Sequence, residues 1–398
     1  MDGKHMVKTL LLFTLLFVQI SFGAIAPNKL KNISPRIKVK IASSLDKVLV
    51  SGIDLKKVLF INSTQKNYPG RKGVKFNCNK ISKVFKKYPK SKKPILLASL
   101  NSPTGLISFE DQKFKGRLHI LANKNKNKCD VVNEINMEDY ISGLLAKEMN
   151  KVWPIEALKA QAVAARSYAV YKMISKQVSK QAGYNVHYDI ENSEKHQVNG
   201  DFFDTNKRTF KASKDTEGEV LITPRGLLVP IFFHAKCGGK TLRPEQVWEN
   251  KIAGYQKRSC PFCHNHGTKT WKNKLKPNQV LKFVKWLKRK KLIKVKYDTD
   301  KILFASDHFR KDTVRMYYGD QYFNLNKSLF RRYFGRKLFP SNNFNLLQKQ
   351  NLISFTGEGL GHGVGLCQLG ALDMAQMGWD YKKILAYYFP KHKLEKIY

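Results

Sequence analysis

The sequence predicts an α+β fold. Three observations carry that reading: short alternating apolar segments come in runs, one long alanine-dense segment has helical character, and strands and helices do not alternate as a doubly wound sheet requires. From Arg36 to about Ile120 the chain reads IKVKIA, KVLVSG, VLFI, PILLAS and RLHILA, separated by Asn, Gly, Pro or Lys clusters, which predicts five or so strands in a β-rich N-terminal region. The polar stretch Asn123 to Lys128 (NKNKNK) reads as a turn or linker. A helix is expected from Pro154 to about Val178, with Pro in the first turn and Glu156 near the positive end of the helix dipole. Small side chains at Ala157, Ala160, Ala162, Ala164, Ala165 and Ala169 allow close backbone approach, so this helix should be central and packed with antiparallel strands. Beyond it, Gly218 to Phe233 reads as strands, Asn278 to Lys290 as a basic amphipathic helix with a solvated face, Ile293 to Phe323 as a strand meander, and Tyr381 to Tyr388 as a short terminal helix.

The 398 residues carry 73 Lys plus Arg against 30 Asp plus Glu, a formal charge of +43, yet 42% are hydrophobic and 12% aromatic. That apolar content excludes a disordered polycation. Lys outnumbers Arg by 59 to 14 and is dispersed along the chain, which argues against sequence-reading nucleic-acid contacts, because those favour bidentate Arg. No nucleic-acid partner is expected. A diffuse Lys excess offers long-range attraction to anionic envelope polymers, as a peripheral contact.

Lys4 and Lys8 precede the apolar run Thr9 to Val18, which closes on Ser21 and Gly23, so residues 1–23 read as a secretory signal peptide. The run is short of the ~20 residues that span a bilayer. The expected compartment is the periplasm or cell surface. Six cysteines are too few for a disulfide-built scaffold, but Cys78 and Cys129 could form one disulfide in an oxidising compartment.

Between Val132 and Tyr168 the chain reads VNEINMEDYISGLLAKEMNKVWPIEALKAQAVAARSYA, a second block FFHAKCGGKTLRPEQVW runs from Phe232 to Trp248, and a third, GEGLGHGVGLCQLGALDMAQMGWDYKKILAYYFP, from Gly357 to Pro390. Together these resemble the stage II sporulation protein D family, also called the SpoIID/LytB domain. The three blocks come in the family's order and span roughly a third of the chain; the visible departure is Asn150, where the family has Pro. The resemblance implies a SpoIID-like catalytic domain over 130–398, with a strand and helix elaboration at 273–350 after a β-rich region at 24–122. It implies an exported lytic transglycosylase that cleaves peptidoglycan glycan strands, preferentially those stripped of stem peptides. The rival it also suggests is a non-catalytic wall-binding protein that enhances an amidase.

By resemblance the catalytic acid is Glu148. The chemistry needs a carboxyl group that protonates the glycosidic oxygen, and the apolar neighbours Ile141 to Ala146, Met149, Val152 and Trp153 favour a protonated acid. A hydrolase would need a second carboxylate. A lytic transglycosylase does not, because the same Glu can act as base on the sugar's 6-hydroxyl to close a 1,6-anhydro ring. The substrate-binding candidates are Trp153, Gln161, Arg166, Tyr168, His362 and Gln368. For Arg166 a buried ion pair competes with sugar contact, and for Glu138 and Asp139 helix capping competes with substrate positioning. His362 lies among five glycines, whose pattern allows close backbone approach and lacks the Lys-Ser/Thr of a phosphate loop.

No cofactor is required for this chemistry, but Cys260-Pro-Phe-Cys263-His264-Asn-His266 has zinc-like spacing. Cys237 is a plausible third ligand and His264 or His266 the fourth of a structural site. A Cys260–Cys263 disulfide and uncommitted thiols are the alternatives, and Cys367 reads as a small packed residue. Some family members carry zinc through ligands between the catalytic helix and the next strand; here that stretch offers only His187 and His196 and no Cys.

Overall fold

The computed structural model describes residues 36–60, 64–78, 94–123, 127–181, 187–191, 205–248, 250–263, 266, 270–295, 302–306, 312–349 and 352–398. The signal-peptide reading at 1–23 and His264 lie outside the described residues.

The β-rich region holds five strands, β1 (Arg36–Leu45), β2 (Lys47–Leu59), β3 (Thr64–Asn77), β4 (Ile95–Phe109) and β5 (Gln112–Asn123): the segments KVLVSG and VLFI belong to one strand, β2, and the polar β3 was not among the expected segments. With β6 (Lys128–Asn136) and β7 (Ile190–Glu191) they form a seven-stranded sheet in the order β3-β2-β4-β5-β6-β1-β7. It is mixed, because β7 pairs parallel with β1 while the other pairs are antiparallel. Val48, Val50, Leu100, Leu118, Ile120 and Val131 fill the core of its N-terminal part. Cys78, just past β3, is disulfide-bonded to Cys129 in β6, tying two strands that are far apart in the sheet order.

β6 feeds directly into α1 (Met137–Glu148), whose N-cap Asn136 accepts from the Glu138 N–H. The alanine-dense helix is α2 (Ile155–Gln181). Its six named alanines are all fully buried, and it meets α1, α3 (Lys207–Asp215), β8 (Glu219–Ile222), β9 (Phe233–His234), α7 (Gln368–Gln376) and α8 (Tyr381–Tyr388). Small residues on every face make that centrality possible, since each neighbouring backbone can approach closely. The region after β8 is less strand-rich than its apolar content suggested: β8 and β9 are short and joined by irregular chain.

Between these elements come the short α4 (Glu245–Trp248), β10 (Trp271–Leu275), the basic α5 (Pro277–Arg289), β11 (Ile302–Ser306), β12 (Thr313–Tyr318), β13 (Gln321–Asn326), α6 (Ser328–Phe334), β14 (Asn343–Lys349), β15 (Leu352–Glu358), β16 (Leu366–Cys367) and the terminal β17 (Lys393–Lys396). The meander is real over β11 to β13, an antiparallel three-stranded sheet. β10, β15 and β14 make a second three-stranded sheet. Both pack around an aromatic core of its own, with Phe283, Phe330, Phe339, Phe344 and Phe355 buried in it. The result is a mixed α+β architecture with eight helices among the described residues. No described helix is long and apolar enough to cross a membrane.

Candidate active site and thiol centre

Helix α1 carries a glutamate near each end. Glu138, in its first turn, is buried against Arg166 of α2, whose Nε donates to Oε1 at 3.0 Å and whose NH2 donates to Oε2 at 2.5 Å. Ser213 and Tyr398 hydroxyls also donate to this carboxylate. Burial pushes the Glu138 carboxyl up, but the Arg166 guanidinium and the two hydroxyls outweigh it and hold it below the usual range. Arg166 spends its remaining donors on Ser213 O, Thr216 Oγ1 and Glu219 O, and it is 0% exposed. The substrate contact considered for Arg166 therefore gives way to the buried ion pair. A guanidinium saturated inside the protein has no face left for a sugar. Asp139 is paired to Lys115 at 2.8 Å, and Asn136, not Glu138 or Asp139, supplies the cap.

Glu148 is the last residue of α1 and is half-buried. Next to it the chain turns sharply, with Met149 extended at φ −133° and ψ 158°. The Asn150 carbonyl accepts from the Trp153 N–H at 3.0 Å, and its side chain accepts from the Val152 N–H at 3.1 Å. The turn is thus held by an Asx-type bond in place of the family's proline. Tyr140, one face of α1 away, is fully buried; burial first, then the charges that Tyr168 and Glu148 would carry, push its phenol well above the usual range. Burial likewise raises Tyr168, so both phenols stay protonated.

From Tyr168 a chain of rings crosses the three sequence blocks. Tyr168 packs on Phe232 at 5.8 Å, Phe232 on Trp248 at 4.5 Å, and Trp248 on His362 at 5.1 Å. His362 also meets His234, at 5.7 Å. Two glycines show why the third block can lie so close to the second. Gly365 has φ +78°, and a Cβ there would stand 2.0 Å from Phe232 O; Gly361 has φ +108°, and its Cβ would stand 2.9 Å from the His234 Cβ. The glycine-rich segment is therefore pressed against β9 and sets His362 on the ring cluster. His362 Nδ1 accepts from the Val364 N–H at 3.0 Å, and burial, with His234 nearby, pushes the ring's pKa well below normal. Burial holds His234 at about 4. Both imidazoles are neutral at neutral pH.

Trp153 is half-buried, packs on the core around α1 and α2, and its carbonyl accepts from Arg208 at 2.8 Å. Gln161 is fully buried in α2, and Gln368 is 5% exposed at the start of α7. Neither the Gln161 amide nor Gln368 Nε2 has a hydrogen-bond partner among the described residues. Phe232, His234 and Trp248 were in plain view in the second block, but only their shared contact with His362 singles them out.

The thiol expectation is corrected in its fourth member. Cys237, Cys260, Cys263 and Cys367 are all buried free cysteines with sulfurs within 4.8 Å of one another. His266 instead pairs with Asp373. Cys367 is a member of the cluster and not merely a packed residue, because β16 runs beside β9 and brings it back from a distant part of the chain. Tetrahedral zinc thiolates at about 2.3 Å place sulfurs roughly 3.8 Å apart, which four convergent buried thiols can satisfy. The Cys237 and Gly370 N–H groups reach Cys367 Sγ at 3.3 and 3.4 Å, and the Tyr388 hydroxyl lies 3.2 Å from Cys260 Sγ, contacts of the kind that support thiolate ligands. The cluster can hold a structural metal such as zinc.

Residues 125–222 match the family model described as Stage II sporulation protein, the SpoIID family. The chain is 35% identical over 263 residues to an uncharacterized protein of Brachyspira hyodysenteriae, covering 65% of this chain and 66% of that protein. It is 24% identical over 300 residues to the amidase enhancer of Bacillus subtilis (63% of this chain, 39% of that protein) and 27% identical over 267 residues to that organism's stage II sporulation protein D (65% and 74%). The chain thus spans just under two thirds of the first relative and about two fifths of the second. With its motif blocks meeting around one ring cluster, the chain carries a SpoIID family domain and is a distant homologue of stage II sporulation protein D and of the amidase enhancer.

Proposed function

We propose that this protein is an exported, cell-wall-directed lytic transglycosylase that cleaves peptidoglycan glycan strands, with Glu148 as acid and then base. The observation that carries the reading is the half-buried Glu148 at the end of α1, near the buried Tyr140 phenol, which neighbours Tyr168 and through it the ring cluster of the other two motif blocks. In the first step the Glu148 carboxyl gives its proton to the glycosidic oxygen as the C1–O bond breaks and positive charge develops on the ring. The Glu148 carboxylate then takes the proton of the same sugar's 6-hydroxyl, whose oxygen bonds to C1. The ring closes as a 1,6-anhydro end, no water is consumed, and Glu148 is protonated again. Tyr140 and Tyr168 remain neutral donors throughout, and the ring cluster with Trp153 offers apolar faces to sugar rings. Gln161 and Gln368 have buried amide groups in reserve for polar positioning.

Cys237, Cys260, Cys263 and Cys367 would hold zinc as a structural ion, binding the second and third motif blocks together; they take no part in proton transfer. The Cys78–Cys129 disulfide accords with an exported protein. Periplasm or cell surface is the proposed location, with stripped glycan as substrate and an amidase as the enzyme that would supply it.

The test is mass spectrometry of products from intact and amidase-treated peptidoglycan. Anhydro-ended fragments from the wild type and none from Glu148→Gln support the reading. Reducing ends would mean hydrolysis. Absence of fragments with wall binding intact would favour the amidase-enhancing role, which the 24% identity to the amidase enhancer keeps as the second reading.

A further inference from the structure

A cavity of about 410 Å³ opens on the side of α1 away from Glu148. Asp139 lines it, and nine residues of a 3.6-residue helix separate Asp139 from Glu148 by about 180° round the axis. The other walls used here are Phe114 and Lys115 of β5, Asn133 and Ile135 of β6, and Phe210 of α3. The volume falls within the roughly 300–1,000 Å³ of small-molecule sites.

Asn133 is the telling residue. It is 0% exposed, and its Nδ2 donates to Lys115 O at 2.8 Å and Arg117 O at 3.3 Å. That fixes the amide with its Oδ1 turned the other way, without a partner among the described residues. A buried amide oxygen without a donor is a costly arrangement, and it asks for an N–H. Around it, Ile135 and Phe114 are apolar and buried, while Phe210, also lining the cavity, is 43% exposed. The Lys115 ammonium is matched by Asp139 at 2.8 Å, so the inner wall is nearly neutral overall.

One chemical group answers these demands together: an acetamido substituent, with an N–H for Asn133 Oδ1 and a methyl for the apolar wall, on a sugar ring whose C–H face can lie on Phe210. We propose that this cavity is a carbohydrate subsite that binds an N-acetylated amino sugar on the side of α1 away from Glu148. The choice of a glycan ligand rests on the proposed cell-wall function. The rim also has a link to the site: Asn206 Nδ2 donates to Lys151 O and Arg208 to Trp153 O, so the start of α3 grips the turn that follows Glu148.

The experiment is calorimetric titration of the full chain, on the Glu148→Gln background so that no glycan is consumed, with di-N-acetylchitobiose, its deacetylated counterpart and an acidic stem tripeptide. Binding of the acetylated sugar, at least tenfold weaker for Phe210→Ala and for Asn133→Ser and lost on deacetylation, is the expected result. Phe210 is at the surface, so its variant remains informative if Asn133→Ser fails to fold by circular dichroism. Acetylated sugar bound equally by the Phe210→Ala protein, equal binding of the deacetylated sugar, binding of the tripeptide alone, or no binding each overturns the subsite. Cleavage assays on the wild type decide the catalytic reading separately: a protein that cleaves but shows no Phe210-dependent binding loses only the subsite, and one that binds but never cleaves loses only the enzyme.

Discussion

The two ends of helix α1 are built on opposite principles. At its start, charges are matched: Glu138 is locked to Arg166 and Asp139 to Lys115. At its end, Glu148 lies near the Tyr140 phenol, which burial keeps neutral, and Tyr140 in turn neighbours Tyr168 and the ring cluster that holds the neutral imidazoles of His362 and His234. A carboxylate with an arginine and two hydroxyls donating to it does not carry a proton at neutral pH, since each donor favours its ionised form. The same residue type, ten positions apart on one helix, is thus an anchor in one place and, in the proposed function, the reactive group in the other.

The sharpest way to test that contrast is to remove each glutamate's charge in turn. Glu148→Gln should lower glycan cleavage by about 10²–10⁴-fold, the usual range for a lost general acid, with unfolding unchanged. Anhydro-product formation surviving at wild-type rates would end the assignment. Arg166→Met should do the reverse at the other end, costing roughly 3–5 kcal/mol because Glu138 is left buried and unpaired. Denaturant unfolding measures it, and a midpoint equal to the wild type's would mean that the ion pair carries no stability. Glu138→Gln combined with Arg166→Met should recover part of the loss, because the uncompensated charge is gone.

Acid should separate the two neighbourhoods by pH. His234 has its folded pKa depressed from 6.5 to about 4, so the unfolded chain takes up protons first as pH falls. Its contribution, up to roughly 3 kcal/mol, is fully present above pH 6.5 and is lost as pH falls toward 4. His392, also held at about 4 by burial, adds to the same window. The matched charges respond later. Glu134, drawn down to about 2 chiefly by its hydrogen bond with His119, contributes stability that persists above its ordinary value of 4.5 and disappears between there and pH 2. Thermal melts from pH 7.5 to 2 should therefore show a first loss between 6.5 and 4, and His234→Phe should flatten it. A melting temperature constant across that interval would contradict the neutral-ring picture.

Much of this contrast was legible in the sequence because it is local. The alanine spacing of α2 and the bounds Tyr381–Tyr388 follow from periodicity and capping, which a short window contains. The proposal for Glu148 rests on a motif whose fixed residues are contiguous. What could not be read was closure at long range. Cys367 joins Cys237, Cys260 and Cys263 only because β16 lies beside β9. Arg166 finds Glu138 only when α1 and α2 pack, and the cavity beside Asn133 exists only once α3 folds over β5 and β6. Helix α3 itself had a readable start, the Asn206 and Thr209 capping box, hidden in a stretch poor in apolar residues.

The smallest effect concerns the turn that separates the two regimes. Met149 already has the extended backbone that a following proline demands, φ −133° and ψ 158°, although residue 150 is Asn. The turn's geometry has therefore been kept while its means of support has changed, from a ring constraint to the Asn150 side chain accepting from Val152. Asn150→Pro should accordingly be tolerated, with stability within about 1 kcal/mol of the wild type and activity retained, because the restored ring limits the unfolded chain more than it strains the folded one. Asn150→Ala removes the side-chain acceptor and supplies no constraint in return. It should cost about 1 kcal/mol and reduce cleavage several-fold, with binding of stripped glycan unchanged. If Asn150→Ala is silent and Asn150→Pro disruptive, the Asx bond does not position Glu148, and the turn is held by the packing of Trp153.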